Sequence, residues 1–373
     1  MKTAKVAIVL SLMFLLVGSS PVFAEDSHHD SQPNLSLTLT GGILDSGTQH
    51  YSHSGGELAA AIVGGVPIDT SSAHLEYSLD AVITGLAVQG QATFSLSYLD
   101  STGAHVQIDG SAPIGDMMPA EFFPFTCTNP DGTPTPSCTS GIPGMFIGMA
   151  TINTQTCQGD SQSEGDGQSQ GQGDQSTYVS DNSDDEGDSN NCQTSPPANL
   201  SMVFESAFLN PFGGPIFMAP IAPGDESLVI VASYDRARVT WDGIQMGGSI
   251  VGTLSGTPVA GMFSQVVSAA EDLKAGHESE RGTITFAQMS NPLLNADGRF
   301  SGESTIPQGS DCSSLPGFLP GTCQITGFHS DGHFSQKNAL GNRIRGDYSV
   351  EWTAPAVAFT STVTANLGSG SGE

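Results

Sequence analysis

Hydrophobic residues recur at every second position along much of the chain. Leu35, Leu37 and Leu39 alternate with Ser36, Thr38 and Thr40, the period of a strand with one face buried and the other in water. Val82, Leu86, Val88, Ala92, Phe94, Leu96 and Tyr98 keep one parity, which predicts two strands broken near Gly90. Tyr348, Val350 and Trp352 alternate with Asp347, Ser349 and Glu351, and Val357, Phe359 and Val363 continue a final strand. With 46 Gly and 22 Pro as punctuation, the pattern predicts an all-β chain of short strands. One helix is expected, over 264–274 (SQVVSAAEDLK), where Val267 and Ala270, with Val266 and Leu273, would share a face.

These strands group into one or two disulfide-stapled, β-sandwich-like modules, 25–157 and 192–366, separated by an insert at 158–191 and followed by a flexible tail at 367–373. A faint internal similarity supports the pairing: Gly85-Leu86-Ala87-Val88 aligns with Gly243-Ile244-Gln245-Met246, and each stretch leads to a C-x10-C pair. The insert holds nine acids, seven Ser, six Gly and six Gln in 34 residues, with only Tyr178 and Val179 as apolar surface. Such a tract cannot offset its ordering entropy by burial and reads as a disordered, solvated spacer. Asp181, Asp184, Asp185, Glu186 and Asp188 could gather round calcium, the one cofactor the sequence suggests. Their run of adjacent acids departs from the spacing of a calcium-binding loop, which weakens that suggestion.

The first residues read as an address. Lys2 and Lys5, the apolar run Val6–Val17 and Val22-Phe23-Ala24 form a secretory signal over 1–24. The run is shorter than the ~20 residues a spanning helix needs. An exported chain, secreted, periplasmic or on the cell surface, is expected, without a membrane span. Six cysteines follow, and their spacing favours Cys127–Cys138, Cys157–Cys192 and Cys312–Cys323 among the alternatives open to six thiols.

Charge changes the picture further. The chain carries 38 Asp+Glu against 10 Lys+Arg, a net −28 at neutral pH. No Lys or Arg stands between Lys5 and Arg236, so 25–235 holds 26 acids and no base. Few bases argue against nucleic acid as a partner. The same bias predicts tolerance of low pH, where carboxylates neutralise and little opposing positive charge appears.

No motif names a chemistry. His50 and His53 form H-x-x-H in a polar stretch read as a loop, and His329 and His333 flank Ser330-Asp331-Gly332, read as a hairpin turn. A metal cluster from these is the lesser reading; exposed loop histidines are expected. G-x-S-x-G, H-E-x-x-H and P-loop patterns are missing. Two functional classes follow. The first is a non-catalytic extracellular or cell-surface protein, structural or adhesive, associating with itself, other surface proteins or glycans. The second is a secreted hydrolase or carbohydrate-binding protein whose acids do the work, since paired carboxylates leave no fixed motif.

Overall fold

The computed structural model describes residues 33–128, 134–158, 192–210, 212–222, 224–305, 312–314, 321–323, 327–353 and 358–368; within 119–142, 312–328 and 351–359 it describes backbone alone. The signal segment 1–24 and the acids of 159–191, with the calcium candidates Asp181, Asp184, Asp185, Glu186 and Asp188, lie outside the described residues.

The chain is built from strands. The first are β1 (Leu35–Asp45), β2 (Thr48–Ser54), β3 (Leu58–Val63), β4 (Val66–Pro67), β5 (His74–Thr84) and β6 (Ala87–Leu99). A long hairpin, β7 (His105–Thr128) and β8 (Pro134–Cys157), leads to β9 (Cys192–Thr194), β10 (Ala198–Glu205), β11 (Ile216–Pro220) and β12 (Leu228–Ala232). Then come β13 (Arg236–Leu254), β14 (Thr257–Asp272), β15 (His277–Ala287) and β16 (Ala296–Thr305). A small pair, β17 (Cys312–Ser314) and β18 (Gly321–Cys323), precedes β19 (Gly327–Asn338), β20 (Arg343–Thr353) and β21 (Ala358–Gly368). Among the described residues the only helical turns are Thr70–Ser72 and Pro292–Leu294.

Eight strands close on themselves. β13 pairs with β14, then β15, β16, β19, β20 and β21 follow as antiparallel neighbours. β21 pairs with β1, and β1 returns to the C-terminal half of β13. A second circuit runs β2–β5–β6–β7–β8–β10–β11–β12–β3 and closes because β3 continues β2 along the chain. The two circuits share one interrupted ribbon: β1, β2 and β3 lie in succession along β13 and β12, from Leu35 opposite Leu254 to Val63 opposite Leu228. This is a closed, barrel-like sheet with additional strands, in place of the open sandwich sheets expected from the pattern. Closure removes strand edges that a sandwich would leave unpaired.

Alternation decides what faces inward. Leu35, Leu37, Leu39, Ile250, Phe263, Phe286, Phe300, Phe334, Val363 and Ala365 fill the C-terminal ring. Tyr77, Leu79, Ile83, Phe94, Leu96, Phe146, Phe204 and Ile230 belong to the core of the other. Each fully buried Leu or Phe contributes about 1.5–3 kcal/mol. The outward positions of β20 and β21 are Arg343, Arg345, Asp347, Thr360, Thr362 and Thr364. This polar-out alternation is the reverse of a membrane-spanning barrel's. Among the described residues no helix is long and apolar enough to cross a membrane.

Several local expectations are corrected. The helix expected at 264–274 is the end of β14 and the turn after it; Val267, Ala269 and Glu271 alternate inward, and the paired residues Val266-Val267 and Ala269-Ala270 fit both periods. Ser330-Asp331-Gly332 is not a turn but the middle of β19. Gly332 fits a crowded place: a Cβ there would collide with the Ser301 carbonyl oxygen and come within 2.5 Å of the Tyr348 ring. Gly85 sits in the β5–β6 turn while Gly243 lies at a register shift inside β13, so the aligned tetrapeptides occupy different places. Leu367 and Gly368 of the expected tail belong to β21.

Cys157 and Cys192 are disulfide-bonded and face each other across β8 and β9. Cys312 and Cys323 are register partners across β17 and β18, while Cys127 and Cys138 lie on opposite arms of the β7–β8 hairpin. Beyond Ile114, the last β7 residue paired with β6, and Met145, the last of β8 paired with β10, the hairpin arms pair with each other, and Gly144 accepts a further bond from the Ser206 amide at 2.9 Å. Between Pro119 and Pro124 four residues of β7 stand against one of β8, a bulge that bends the ribbon.

Candidate functional site

At one end of the C-terminal ring the inward alternation switches from apolar to acidic. Glu271 follows Val267 and Ala269 on the inner face of β14, and its cross-strand partner on β15 is Glu278. Glu280 is the next inward position. Glu278 accepts a hydrogen bond from Ser304 Oγ at 3.1 Å. Glu280 Oε1 accepts one from Tyr348 OH at 2.6 Å and another from Ser330 Oγ. Tyr348 reaches Glu280 by lying over Gly302 and Gly332, where a side chain would collide with it, and the Phe300 ring meets its edge at 5.9 Å.

Glu271 is only 2% exposed, and its Oε1 has no hydrogen-bond partner. The Lys and Arg residues of these strands, Arg236, Arg238, Arg281, Arg299, Lys337, Arg343 and Arg345, occupy outward, exposed positions. Three inward carboxyls therefore face no inward base. Burial, with the charge of Glu280 added, pushes the Glu278 carboxyl up to about 7. Burial and Glu278 hold the Glu271 carboxyl well above the ordinary range. Tyr348 is raised too, first by burial and then by the Glu280 charge.

A second polar network lies in the other ring. Tyr51 OH accepts a hydrogen bond from the Ala207 amide at 2.7 Å and stands 2.8 Å from His53 Nδ1. His53 is 4% exposed, set edge-on between the Tyr51 and Tyr77 rings, and burial pushes its imidazole down to about 3. Glu205, 1% exposed, accepts from Asn210 Nδ2 at 2.9 Å and from the Phe217 amide at 3.0 Å. Burial outweighs those two bonds and lifts its carboxyl to about 8. Tyr234 donates to the Asn210 carbonyl at 2.9 Å. Burial chiefly raises Tyr234, and the charges of Asp272 and Glu271 add to it, so the two networks lie within electrostatic reach of each other. The Phe212 amide, bonded to the Leu273 carbonyl at 3.0 Å, ties the two rings together beside them. The result is a polar seam of acids and tyrosines through the interior, able to hold protons at weakly acidic pH.

The histidines do not converge. His50 and His53 lie three apart in β2, so one faces out and the other in. His329 bonds Asp331 at 2.8 Å and His333 bonds Asp347, both on the outer face. No group of three or more His, Cys, Asp or Glu among the described residues is arranged to hold a metal. Neither Glu205 nor the Glu271, Glu278 and Glu280 set was singled out by the sequence. The available signal was a Glu at an inward parity, legible once the strand frame of β14 and β15 is known. Comparison of the chain with protein-family models, with curated proteins and with solved structures finds no match in any of the three.

Proposed function

We propose that the protein is an exported, non-catalytic component of the cell exterior, structural or adhesive, that keeps its fold at low pH. The observation that carries this reading is the base-free polar seam: Glu205, Glu271 and Glu278 are buried acids whose neutral forms suit their surroundings. A disulfide at Cys157–Cys192 fits an oxidising compartment. The β7–β8 ribbon continues past its last pairing with β6 and β10, and on this reading it makes the contact with another surface. Its prolines at 119, 124, 134, 136 and 143 interrupt the row of backbone donors, so attachment would run through side chains more than through strand addition.

Expressed with its leader, the protein should be recovered outside the cytoplasm, cut after Ala24 and with Cys157 and Cys192 oxidised. Immobilised on beads, it should adhere to cells or matrix at pH ~4.5 and at pH ~7 alike, through the acidic range in which its carboxyls titrate. Retention inside the cell as a reduced chain would contradict export, and beads that stick no better than bare ones would contradict adhesion.

A second reading, a hydrolase or glycan-binding protein, is favoured by one observation. Glu278 and Glu280 stand near each other among Ser304, Ser330 and Tyr348, and a carboxyl near 7 can act as a general acid. Cleavage or binding of oligosaccharides that is lost in E278Q and E280Q would replace the first reading with this one.

A further inference from the structure

The register of the C-terminal ring sets its inward polar groups in one belt. Glu271 on β14 stands opposite Glu278 on β15, Glu278 opposite Ser304 on β16, and Ser304 opposite Ser330 on β19. Val350 on β20 and Ser361 on β21 continue the same row. The adjoining inward row holds Ala269, Glu280, Gly302, Gly332 and Tyr348. Neighbouring strands are about 5 Å apart and alternate residues about 7 Å, so these groups line a strip on the order of 15 Å long. Glu271, Ser304, Ser330 and Ser361 are buried, while Glu278, Glu280 and Tyr348 keep partial exposure and give a way in.

The belt's own donors meet part of its acceptors. Ser304 donates to Glu278 Oε2, and Tyr348 and Ser330 both donate to Glu280 Oε1. Glu271 Oε1, buried beside Glu278, has no partner, and a buried acceptor left unmet is costly. The chain has no cation of its own to place there. After Lys5 it carries eight Lys and Arg residues, and all eight are exposed. Lys274, at the turn after Glu271, is paired with Asp235 at 3.4 Å. The described histidines are exposed too, apart from His53 in the other ring.

We propose that this belt binds a short aliphatic di- or polyammonium ion, its ammonium groups held by Glu271, Glu278 and Glu280 and its methylenes lying against Ala269 and Val350. An ammonium donates three hydrogen bonds and accepts none, which complements a strip rich in acceptors and without positive charge. A single compact ion is a poorer fit, because no three of the described carboxyls converge as a metal shell does. Two linked charges match carboxyls set about 7 Å apart along β15. Protons compete for the same oxygens: burial lifts Glu278 to about 7 and holds Glu271 above the ordinary range. The other titratable groups facing the belt are Tyr348 and, from the other ring, Tyr234, both raised chiefly by burial and so neutral at these pH values. Asp272 and Lys274 stand exposed at its end. The inference does not depend on the adhesive reading above.

The test is equilibrium dialysis of the mature, disulfide-intact protein against labelled 1,4-diaminobutane at about 0.15 M salt, which screens loose pairing with surface acids. At pH ~8 one diamine per chain is expected. Between pH ~8 and pH ~6, where exposed carboxylates stay ionised but Glu278 takes a proton, affinity should fall about tenfold. E278Q and E280Q, which keep side-chain size, should each weaken binding at least tenfold at pH ~8 while melting cooperatively, and E278Q should flatten the pH dependence. E303Q, at an exposed outward position on β16, should change nothing. Several diamines per chain, held equally by wild type, E278Q and E280Q, would mean diffuse attraction to an acidic surface and would overturn the inference. An absence of binding at pH ~8 overturns it as well. Butylamine bound as tightly as the diamine, or magnesium bound with the diamine inert, would assign the belt to a different cation and overturn it too.

Discussion

Glu278 and His53 show how burial sets the chemistry of single residues here. A carboxyl raised to about 7 in the fold and near the ordinary 4.5 when unfolded stabilises the protein fully below the unfolded value, and that contribution is lost as pH rises through the folded one. E278Q removes the titrating group but keeps its size. It should stabilise the protein by roughly 2–3 kcal/mol at pH ~8 and change little at pH ~4.5, as read by denaturant unfolding at both pH values. Gly332 tests the packing beneath Tyr348. G332A should cost about 1–3 kcal/mol by overpacking, and the cost should shrink in a Y348A background, which a double-mutant cycle measures. These residues were hard to find from sequence for a physical reason. Glu271 lay in a stretch whose doubled apolar residues fit a helix as well as a strand, and His53 stood among Ser and Tyr residues that resemble a loop until β2 packs over them.

At the scale of elements, the alternation at 35–40 and 347–352 located strands well, because one face of each meets a core. The parity run from Val82 to Tyr98 found two strands but put their break near Gly90, where β6 runs on; the turn is at Gly85-Leu86, and Val82 faces out. Alternation could not show the length of strands. β13 runs for 19 residues and β7 and β8 for 24 each, since prolines and glycines that read as breaks are accommodated at bulges and beneath aromatic rings. β9 is only three residues long and is anchored at Cys192. A disulfide closing a loop of this length removes about 3–4 kcal/mol of unfolded-state freedom. C157S/C192S should therefore lower stability by about that amount and expose the 158–197 region to protease first. Peptide mapping after pepsin, with the bond intact, should recover residues near 157 and 192 as one linked species.

The whole molecule is defined by pairings that local pattern does not contain. β1 closes the C-terminal ring against β13 and β21, about 200 and 325 positions away, while β10 to β12 belong to the other ring. The rings therefore interleave along the chain, and neither parity nor composition names a strand's distant partner. Charge did not mark the interior either: of the buried acids only Glu205 lies in the base-free stretch before Arg236, while Glu271 and Glu278 belong to the part that carries the bases, all of which turn outward. The central claim is that this interior stabilises the fold as protons are added. Glu205, Glu271 and Glu278 take up protons in the fold before they do so unfolded, so stability should rise as pH falls from ~8 toward ~4.5. His53 opposes them, because burial keeps it neutral while the unfolded imidazole gains a proton below its ordinary value. Three groups outweigh one until the unfolded carboxylates themselves protonate. Below that, His53 and the carboxylates of Asp69, Asp100 and Asp225, held low by hydrogen bonds from Ser71, Thr102 and Ser227, reduce stability again. The melting temperature of the disulfide-intact protein, measured from pH ~3 to ~9 at fixed salt, tests this most directly. A maximum near pH ~4.5, with a steady fall toward pH ~8, is the predicted result; a maximum at pH ~7 or above, falling on acidification, would contradict it.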